Sequence, residues 1–375
     1  MPKSKAQSSS GSNTGALSRQ AIFYMALLTI QFGCQPMLTA KFTPKTACRT
    51  SIIIVQESIK FIIASTMLFA SGSRNVTQAF QNWTILSWIQ VAFVPAFLYT
   101  IQNQAALLAY QNLDGVTFVV LNQTKTLSAA LCCYLIIGRK QSGVQILSLM
   151  LLLVSALIME NLISMDYILN LVLAAHEQEE GAARVEENHL SPSLGPKHIT
   201  HGVAPVLLAS FLSGLAGAIS QKNLQSSSGR SSGGRNPYLF SSELCIASLV
   251  LLSISLKFSQ DGKMIQEFGF FHEWTVQTLI PIVSNAMGGI VVGLVTKYAG
   301  SVRKGFALIF GMLFTGLIQS MAGGDGSSSG GGGGVAVSKE QIIGGLIASA
   351  SLWMHATHPY VDVGGKNADA KKKKD

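Results

Sequence analysis

The sequence predicts an all-α membrane protein with ten transmembrane helices. Of its 375 residues, 48% are hydrophobic and only 12% are charged, whereas soluble domains carry about 25% charged residues. The apolar runs are nearly continuous, and several approach the ~20 residues that a helix needs to cross a hydrocarbon core. An ordinary cytosolic enzyme is therefore excluded, because its helices or strands would each need a polar face toward water.

Ten segments have the length and hydropathy of membrane spans, in two groups of five. The first group lies at 20–40, 51–71, 85–108, 115–137 and 143–162. The second group lies at 203–221, 239–256, 275–296, 305–322 and 341–356. We predict one five-helix unit over 20–162 and another over 203–356. A polar tail at 1–19, a flexible loop at 163–202 that is too polar to bury a core and a lysine-rich tail at 357–375 complete the chain.

The distribution of positive charge predicts the orientation. With a cytosolic N-terminus, the cytosolic segments hold 17 of the 27 Lys and Arg residues and the opposite side holds 8. Cytoplasmic loops retain such an excess, so both tails are expected in the cytosol and the 163–202 loop in the lumen. The net charge of +9 does not indicate a nucleic-acid partner, because no aromatic residues are interleaved with the basic ones.

The two groups of helices resemble each other. Pro95 in the third span precedes Asp114 by 19 residues, and Pro281 in the eighth span precedes Gly300 by the same distance. Five helices per repeat is an odd number, so a repeat would be inverted in the membrane. Inverted repeats are typical of secondary transporters, whose substrate sites lie near the bilayer midplane.

Charged side chains within the spans are candidate functional residues, because a charge at a helix centre costs about 2.5 to 3.5 kcal/mol on insertion scales. Glu57 and Lys60 are three residues apart in the second span, so they can pair locally. The sequence leaves two roles open for Glu57 and Lys60: a structural ion pair, or direct contact with a substrate.

Lys125 has no acidic residue near it in the fourth span and lies in a polar run with Gln123. Tyr99, Gln102 and Asn103 lie within one turn of the third span and offer donors and acceptors suited to a nucleobase or sugar. Hydrogen bonding between helices is the simpler explanation. We favour a substrate cavity because both neighbouring helices carry polar clusters.

In the second group, Ser284 and Asn285 form a polar pair within the eighth span, and Lys297 lies near its predicted cytosolic end. Lys297 could reach a phosphate, whereas Arg303 and Lys304 at the start of the next span are expected to act first as topology signals.

The sequence indicates neither catalysis nor a bound cofactor. The five cysteines form no CxxC pair, and no nucleophile-base constellation or phosphate-cradling loop is present. His355 and His358 are three residues apart with no third ligand nearby, so we expect an interfacial position rather than a metal site. No enzyme activity, cofactor or metal is predicted.

These residues carry a resemblance to a known family. The sequence resembles nucleotide-sugar transporters of the CMP-sialic acid and UDP-galactose transporter family, and it looks most like the plant-type UDP-N-acetylhexosamine transporters. The resembling residues are Val94-Pro95 with Tyr99, Gln102 and Asn103, then Asn112-Leu113-Asp114, Gln123-Thr124-Lys125, Glu57 with Lys60, Val295-Thr296-Lys297-Tyr298, Lys304-Gly305-Phe306, 236–244, 270–274 and 280–289.

The resemblance implies a drug/metabolite transporter fold and an antiporter that exchanges a cytosolic nucleotide sugar for a luminal nucleoside monophosphate. UDP-GlcNAc, UDP-GalNAc and UDP-galactose are the expected sugars, and the Golgi or endoplasmic reticulum is the expected membrane. It also implies phosphate contacts from Lys125 and Lys297 and contacts to base or ribose from the third span. Glu57, Lys60, Asp114 and Lys304 are expected to be structural or gating residues.

The C-terminus, Lys371-Lys372-Lys373-Lys374-Asp375, resembles a dilysine retrieval signal that coat proteins recognise. A polybasic patch attracted to the lipid bilayer would have the same composition.

The sequence also leaves open whether the protein forms a homodimer. Two further functional classes stay open as well: a phosphate translocator or metabolite exporter of the same superfold, and a membrane scaffold or receptor.

Overall fold

The computed structural model describes residues 18–44, 46–81, 83–113, 118, 121–159, 199–225, 234–322 and 339–359. These residues form helices and no strands, as the sequence predicts. Asp114, the C-terminal lysines and most of the predicted tails and luminal loop lie outside the described residues.

The described residues of the first half include seven helices. They are α1 (Arg19–Phe42), α2 (Arg49–Ala70), α3 (Ser73–Phe80), α4 (Ile85–Trp88), α5 (Val94–Asn112), α6 (Lys125–Ile137) and α7 (Gly143–Met159). A π-helical turn, Ile89–Phe93, joins α4 to α5, so the two form one continuous rod.

The part of the second half that the structure describes includes six helices. They are α8 (Ala204–Gln225), α9 (Pro237–Leu256), α10 (Gln260–Phe268), α11 (Leu279–Tyr298), α12 (Ser301–Ala322) and α13 (Lys339–Thr357). A π-helical turn, Ile199–Val203, precedes α8, and a 3₁₀ turn, Val276–Thr278, precedes α11. The first of these turns starts within the predicted 163–202 loop, so the helix begins four residues earlier than expected.

Seven helical stretches among the described residues are long and apolar enough to cross a membrane, so the protein is a multi-pass membrane protein. They are Arg19–Phe42, Arg49–Ala70, Ile85–Ala106, Ile199–Gln225, Pro237–Leu256, Val276–Tyr298 and Ser301–Ile318. The other three predicted spans correspond to α6, α7 and α13, which contain 13, 17 and 19 described residues. Ten spans and an inverted repeat stay predictions.

Local sequence signals set several helix ends. The Ser18 hydroxyl accepts a hydrogen bond from the Ala21 amide at the start of α1. Asn236 caps α9 by accepting bonds from the Tyr238 and Leu239 amides, and Pro237 is the first helical residue. Gly138 ends α6 with φ of +74°, a conformation that glycine adopts without steric cost.

The most extensive helix contacts lie between the two halves of the chain. Helix α1 packs against α11 and α12, α2 against α9 and α11, and α5 against α8 and α9. Helix α6 contacts α8 and α12, and α7 packs along α13. Each of these pairs joins a helix before residue 160 to one after residue 198.

Small residues allow the close helix contacts. A Cβ atom at Gly214 of α8 would lie 2.6 Å from the Ser128 carbonyl carbon and 2.7 Å from the Ala129 nitrogen of α6. A Cβ at Gly305 of α12 would lie 3.0 Å from the Thr126 side chain of α6. Glycine at these positions lets the backbones approach, as is common in membrane helix pairs.

Candidate functional site

The intramembrane charges of α2 form the ion pair that their spacing predicts. Lys60 Nζ lies 2.5 Å from Glu57 Oε1, and both residues are buried. Gly289 of α11 leaves room for the lysine, since a Cβ there would lie 2.7 Å from Lys60 Cδ. Glu57 Oε2 is buried, and the carboxylate lies beside the Cys245 thiol of α9, a weak donor.

Lys125 lies at the first residue of α6, beside α12. The contact between Thr126 and Gly305 places the start of α6 against the start of α12, where Lys304 lies. The ion pairs formed by described residues include neither lysine. Two cations are thus concentrated in the seam between α6 and α12.

The polar residues of the third predicted span lie on α5, which packs against α8, as α6 also does. Tyr99 and Gln102 are half-buried and Asn103 is exposed. The Gln102 carbonyl oxygen is buried and has no hydrogen-bond partner in the described part of the chain. Gln123, just before α6, is buried. Gln102 therefore offers an open acceptor to a ligand donor.

The predicted residues of α11 lie toward its two ends. The Ser284 carbonyl accepts a bond from Gln31 Nε2 at 3.4 Å, and Asn285 Nδ2 donates to Gln56 Oε1 at 2.7 Å. Lys297 Nζ lies 5.7 Å from the ring centroid of Tyr298. Twelve residues separate Asn285 from Lys297, which corresponds to about 18 Å along a helix.

A basic cavity of about 420 Å³ opens at the bundle end where α6 and α11 finish and α12 begins. Its size falls within the range of small-molecule sites. As the structure describes it, none of the eight predicted binding residues lines this cavity. Residues that line it include Arg139, Lys140, Gln221, Tyr298, Arg303 and His355.

Two glutamines of α8 build one wall of the basic cavity. Gln221 Oε1 accepts a bond from the Ser301 amide at 2.7 Å, and its Nε2 donates to Gln225 Oε1 at 3.0 Å. Gln225 Nε2 donates to the carbonyls of Thr296 and Lys297 at 2.9 and 2.8 Å. These bonds hold the turn between α11 and α12 against α8. Sequence reasoning missed the cavity because its walls come from four distant segments.

A second buried carboxylate, Glu243 of α9, has structural partners. It forms an ion pair with Arg235 and accepts a bond from Trp83 Nε1 at 2.7 Å, and its carbonyl accepts one from Trp88 Nε1 at 3.1 Å. Hydrogen-bonded partners offset the cost of burying such a charge. Glu243 therefore joins the start of α9 to the start of the third predicted span.

Comparisons with known proteins agree with this architecture. The nucleotide-sugar transporter family model matches residues 19–322. The UDP-N-acetylglucosamine transporter ROCK1 of Arabidopsis thaliana is 31% identical over 347 residues, which cover 92% of this chain and 95% of that protein. The UDP-galactose translocator of Mus musculus is 27% identical over 79% of this chain and 70% of its own length.

A solved protein crystal structure shares the fold, with a TM-score of 0.57 at 11% identity, covering 90% of this chain and 98% of that chain. The family match extends over every helix from α1 to α12. The chain belongs to the nucleotide-sugar transporter family.

Proposed function

We propose that the protein exchanges a cytosolic UDP-sugar for luminal UMP across the Golgi or endoplasmic reticulum membrane. A UDP-N-acetylhexosamine is the first expected substrate and UDP-galactose the second. The observation that carries the proposal is the close packing of α6 on α12 at Thr126 and Gly305, which brings Lys125 and Lys304 into the same seam. Relatives that transport UDP-N-acetylglucosamine and UDP-galactose support it.

Two neighbouring ammonium groups inside a helix bundle favour an anionic ligand. Each repels the other, and intramembrane charges normally face a partner or a water-filled cavity. The diphosphate of a UDP-sugar carries two negative charges and UMP carries close to two. Lysine ammonium groups bind phosphate as compact charges, so the same pair would serve both substrates and make exchange nearly electroneutral.

The uridine and sugar require hydrogen bonds as well as charge. Gln102 supplies an open buried acceptor, and Tyr99, Asn103 and Gln123 supply further donors and acceptors on α5 and beside α6. We assign these four residues to the base and ribose. The Gln102 carbonyl oxygen would gain a hydrogen-bond partner only when the ligand binds. Because a buried carbonyl without a partner costs free energy, this hydrogen bond would favour the bound state.

The residues of α11 and α2 would act in the change of access. Ser284 and Asn285 are proposed contacts at one end of α11, and Lys297 is a proposed phosphate contact at the other. The Glu57–Lys60 pair lies against Gly289 between them, which suits a structural or gating role. Asp114 is proposed to act at the turn before the fourth span. An empty carrier with unpaired lysines would resist the change of access, which couples the two fluxes.

The proposal is tested by uptake into proteoliposomes that contain UMP. The panel comprises labelled UDP-GlcNAc, UDP-GalNAc, UDP-galactose, UDP-glucose and CMP-sialic acid. We expect a UDP-N-acetylhexosamine to accumulate fastest and CMP-sialic acid to be excluded. Failure of every nucleotide sugar to enter liposomes that contain folded protein would contradict the proposal.

A further inference from the structure

His355 is a buried histidine of α13 that lines the basic cavity. It is 4% exposed, and neither ring nitrogen has a hydrogen-bond partner among the described residues. Its backbone is fixed, because its carbonyl accepts a bond from Gln145 Nε2 at 3.1 Å, and the Phe306 ring packs 5.4 Å from its own ring. Leaving buried polar atoms without partners is costly, so these nitrogens are expected to serve a ligand.

The groups around His355 define the charge of that ligand. Arg139 and Lys140 face the cavity from the segment between α6 and α7, and Arg303 faces it from α12. Cys133 of α6 and Tyr298 of α11 are the other titratable lining residues, and no Asp or Glu is among the described lining residues. The described lining of the cavity therefore carries net positive charge, which favours an anion that can accept hydrogen bonds.

We propose that the basic cavity is a binding site for a phosphate group, in which His355 donates a hydrogen bond to a phosphate oxygen and Arg139 contributes charge. A neutral imidazole carries one N–H donor, and a guanidinium presents a planar fork that matches phosphate oxygens. The phosphate comes from a soluble nucleotide or from the headgroup of an anionic lipid. Both offer the same oxygen atoms.

This site adjoins Lys297 and Lys304, the sequence neighbours of the lining residues Tyr298 and Arg303, but it lies apart from Lys125 of the exchange site proposed above. Cys133 lines the cavity, and Lys125 lies eight residues earlier on the same helix, α6. Eight residues correspond to about 12 Å along the helix axis. The phosphate site is thus about two turns nearer the bundle end than Lys125.

The test measures pyrophosphate binding to the purified full chain, with His355→Leu compared with His358→Leu. His358 is an exposed neighbour whose Nδ1 lies 2.8 Å from Thr357 Oγ1, so it is a matched control. We expect His355→Leu to weaken binding about tenfold or more, as loss of a hydrogen bond to a charged group does, and His358→Leu to leave it unchanged. Wild-type affinity in His355→Leu would overturn the proposal.

Thermal stability separates a binding role from a structural one. Leucine removes two unpartnered nitrogens, so the ligand-free His355→Leu variant is expected to unfold at the wild-type temperature or above it. A variant that binds more weakly and also unfolds earlier would contradict a ligand role. His355→Gln, which keeps a donor, is expected to retain part of the affinity.

Two further arms distinguish this site from the exchange site and identify the phosphate source. Lys125→Ala should remove the part of pyrophosphate binding that belongs to the exchange site and leave the rest, and adding His355→Leu should weaken that remaining binding; complete loss of binding in Lys125→Ala alone would overturn the second site. Displacement of pyrophosphate by UDP would support a nucleotide ligand. Displacement only by vesicles that contain phosphatidylinositol phosphate would support a lipid headgroup, and displacement by neither would overturn a phosphate site. Absence of transport with intact pyrophosphate binding would refute the exchange proposal alone.

Discussion

At the level of single residues, Lys125 is the side chain on which the exchange proposal depends most. It lies beside Lys304 and has no ion-pair partner among the described residues. Removing one partner of a desolvated charge contact costs about 2 to 5 kcal/mol. We therefore expect Lys125→Ala to lower UDP-sugar uptake by about 30-fold or more. Wild-type uptake by folded Lys125→Ala would contradict this role.

The matched control for Lys125→Ala is Lys257→Ala. Lys257 is exposed at the end of α9, so its removal changes net charge by the same amount outside the seam. Uptake by this variant should match the wild type. Equal loss of uptake in both variants would indicate a general charge effect.

The Glu57–Lys60 pair is expected to be structural. Lys60→Met alone leaves Glu57 buried without its partner, which costs about 3 to 5 kcal/mol, so thermal stability and yield should fall. The double variant Glu57→Leu with Lys60→Met removes both charges and should recover stability and most of the uptake. A stable double variant with no uptake would instead show that the pair contacts substrate.

The sequence predicted the contact between Glu57 and Lys60 but not the environment of His355. The spacing of Glu57 and Lys60 predicted their contact because i,i+3 neighbours meet on any helix. His355 was expected at an interface, and the structure instead buries it beside Arg303 and Phe306. Its environment depends on contacts between α13 and helices far away in sequence, which local spacing does not encode.

At the level of helices, the contact between α8 and α6 depends on Gly214. A Cβ there would approach backbone atoms of Ser128 and Ala129, which cannot move independently. We expect Gly214→Ala to destabilise the protein by about 1 to 3 kcal/mol, seen as a lower unfolding temperature in detergent. Gly143→Ala is the control, because no atom lies within 4 Å of a Cβ at that position; an equal loss in both variants would contradict the packing argument.

Hydropathy located the long helices but not the short ones. Helices α3 and α10 contain 8 and 9 residues and mix apolar with polar side chains, so a window sized for a membrane span passes over them. The π-helical turn at Ile89–Phe93 was equally hidden, because it keeps the apolar composition of its neighbours. Composition thus predicted the long apolar helices. It did not predict the two short helices or the π-helical turn, which depend on local hydrogen bonding.

At the level of the whole molecule, the orientation predicted from charge can be tested by glycosylation. Asn75-Val76-Thr77 and Asn82-Trp83-Thr84 match the acceptor pattern, yet the prediction places both in the cytosol. The wild-type protein should therefore show no mobility shift on endoglycosidase treatment. Leu190→Thr, which completes an acceptor pattern beginning at Asn188 in the predicted luminal loop, should show one. A glycan on the wild type at either site would contradict the orientation.

The pairing of the two halves was not predictable from the repeat alone. The matching offsets of Pro95 and Pro281 predict related units, and that prediction does not include the packing of α7 along α13 or of α5 on α8. Such pairings depend on complementary small residues, as at Gly344 of α13, where a Cβ would lie 2.8 Å from the Ser155 carbonyl oxygen. Hydropathy therefore predicts where the helices lie in the sequence, whereas tertiary packing determines which helices pair.

The measurement that tests the exchange mechanism most directly is the release of labelled UMP from proteoliposomes when UDP-N-acetylglucosamine is added outside. The account predicts release of about one UMP for each UDP-sugar that enters, because both ligands use the same lysines. It also predicts little release without external substrate. Uptake of the UDP-sugar at the same rate into liposomes without UMP would contradict coupled exchange.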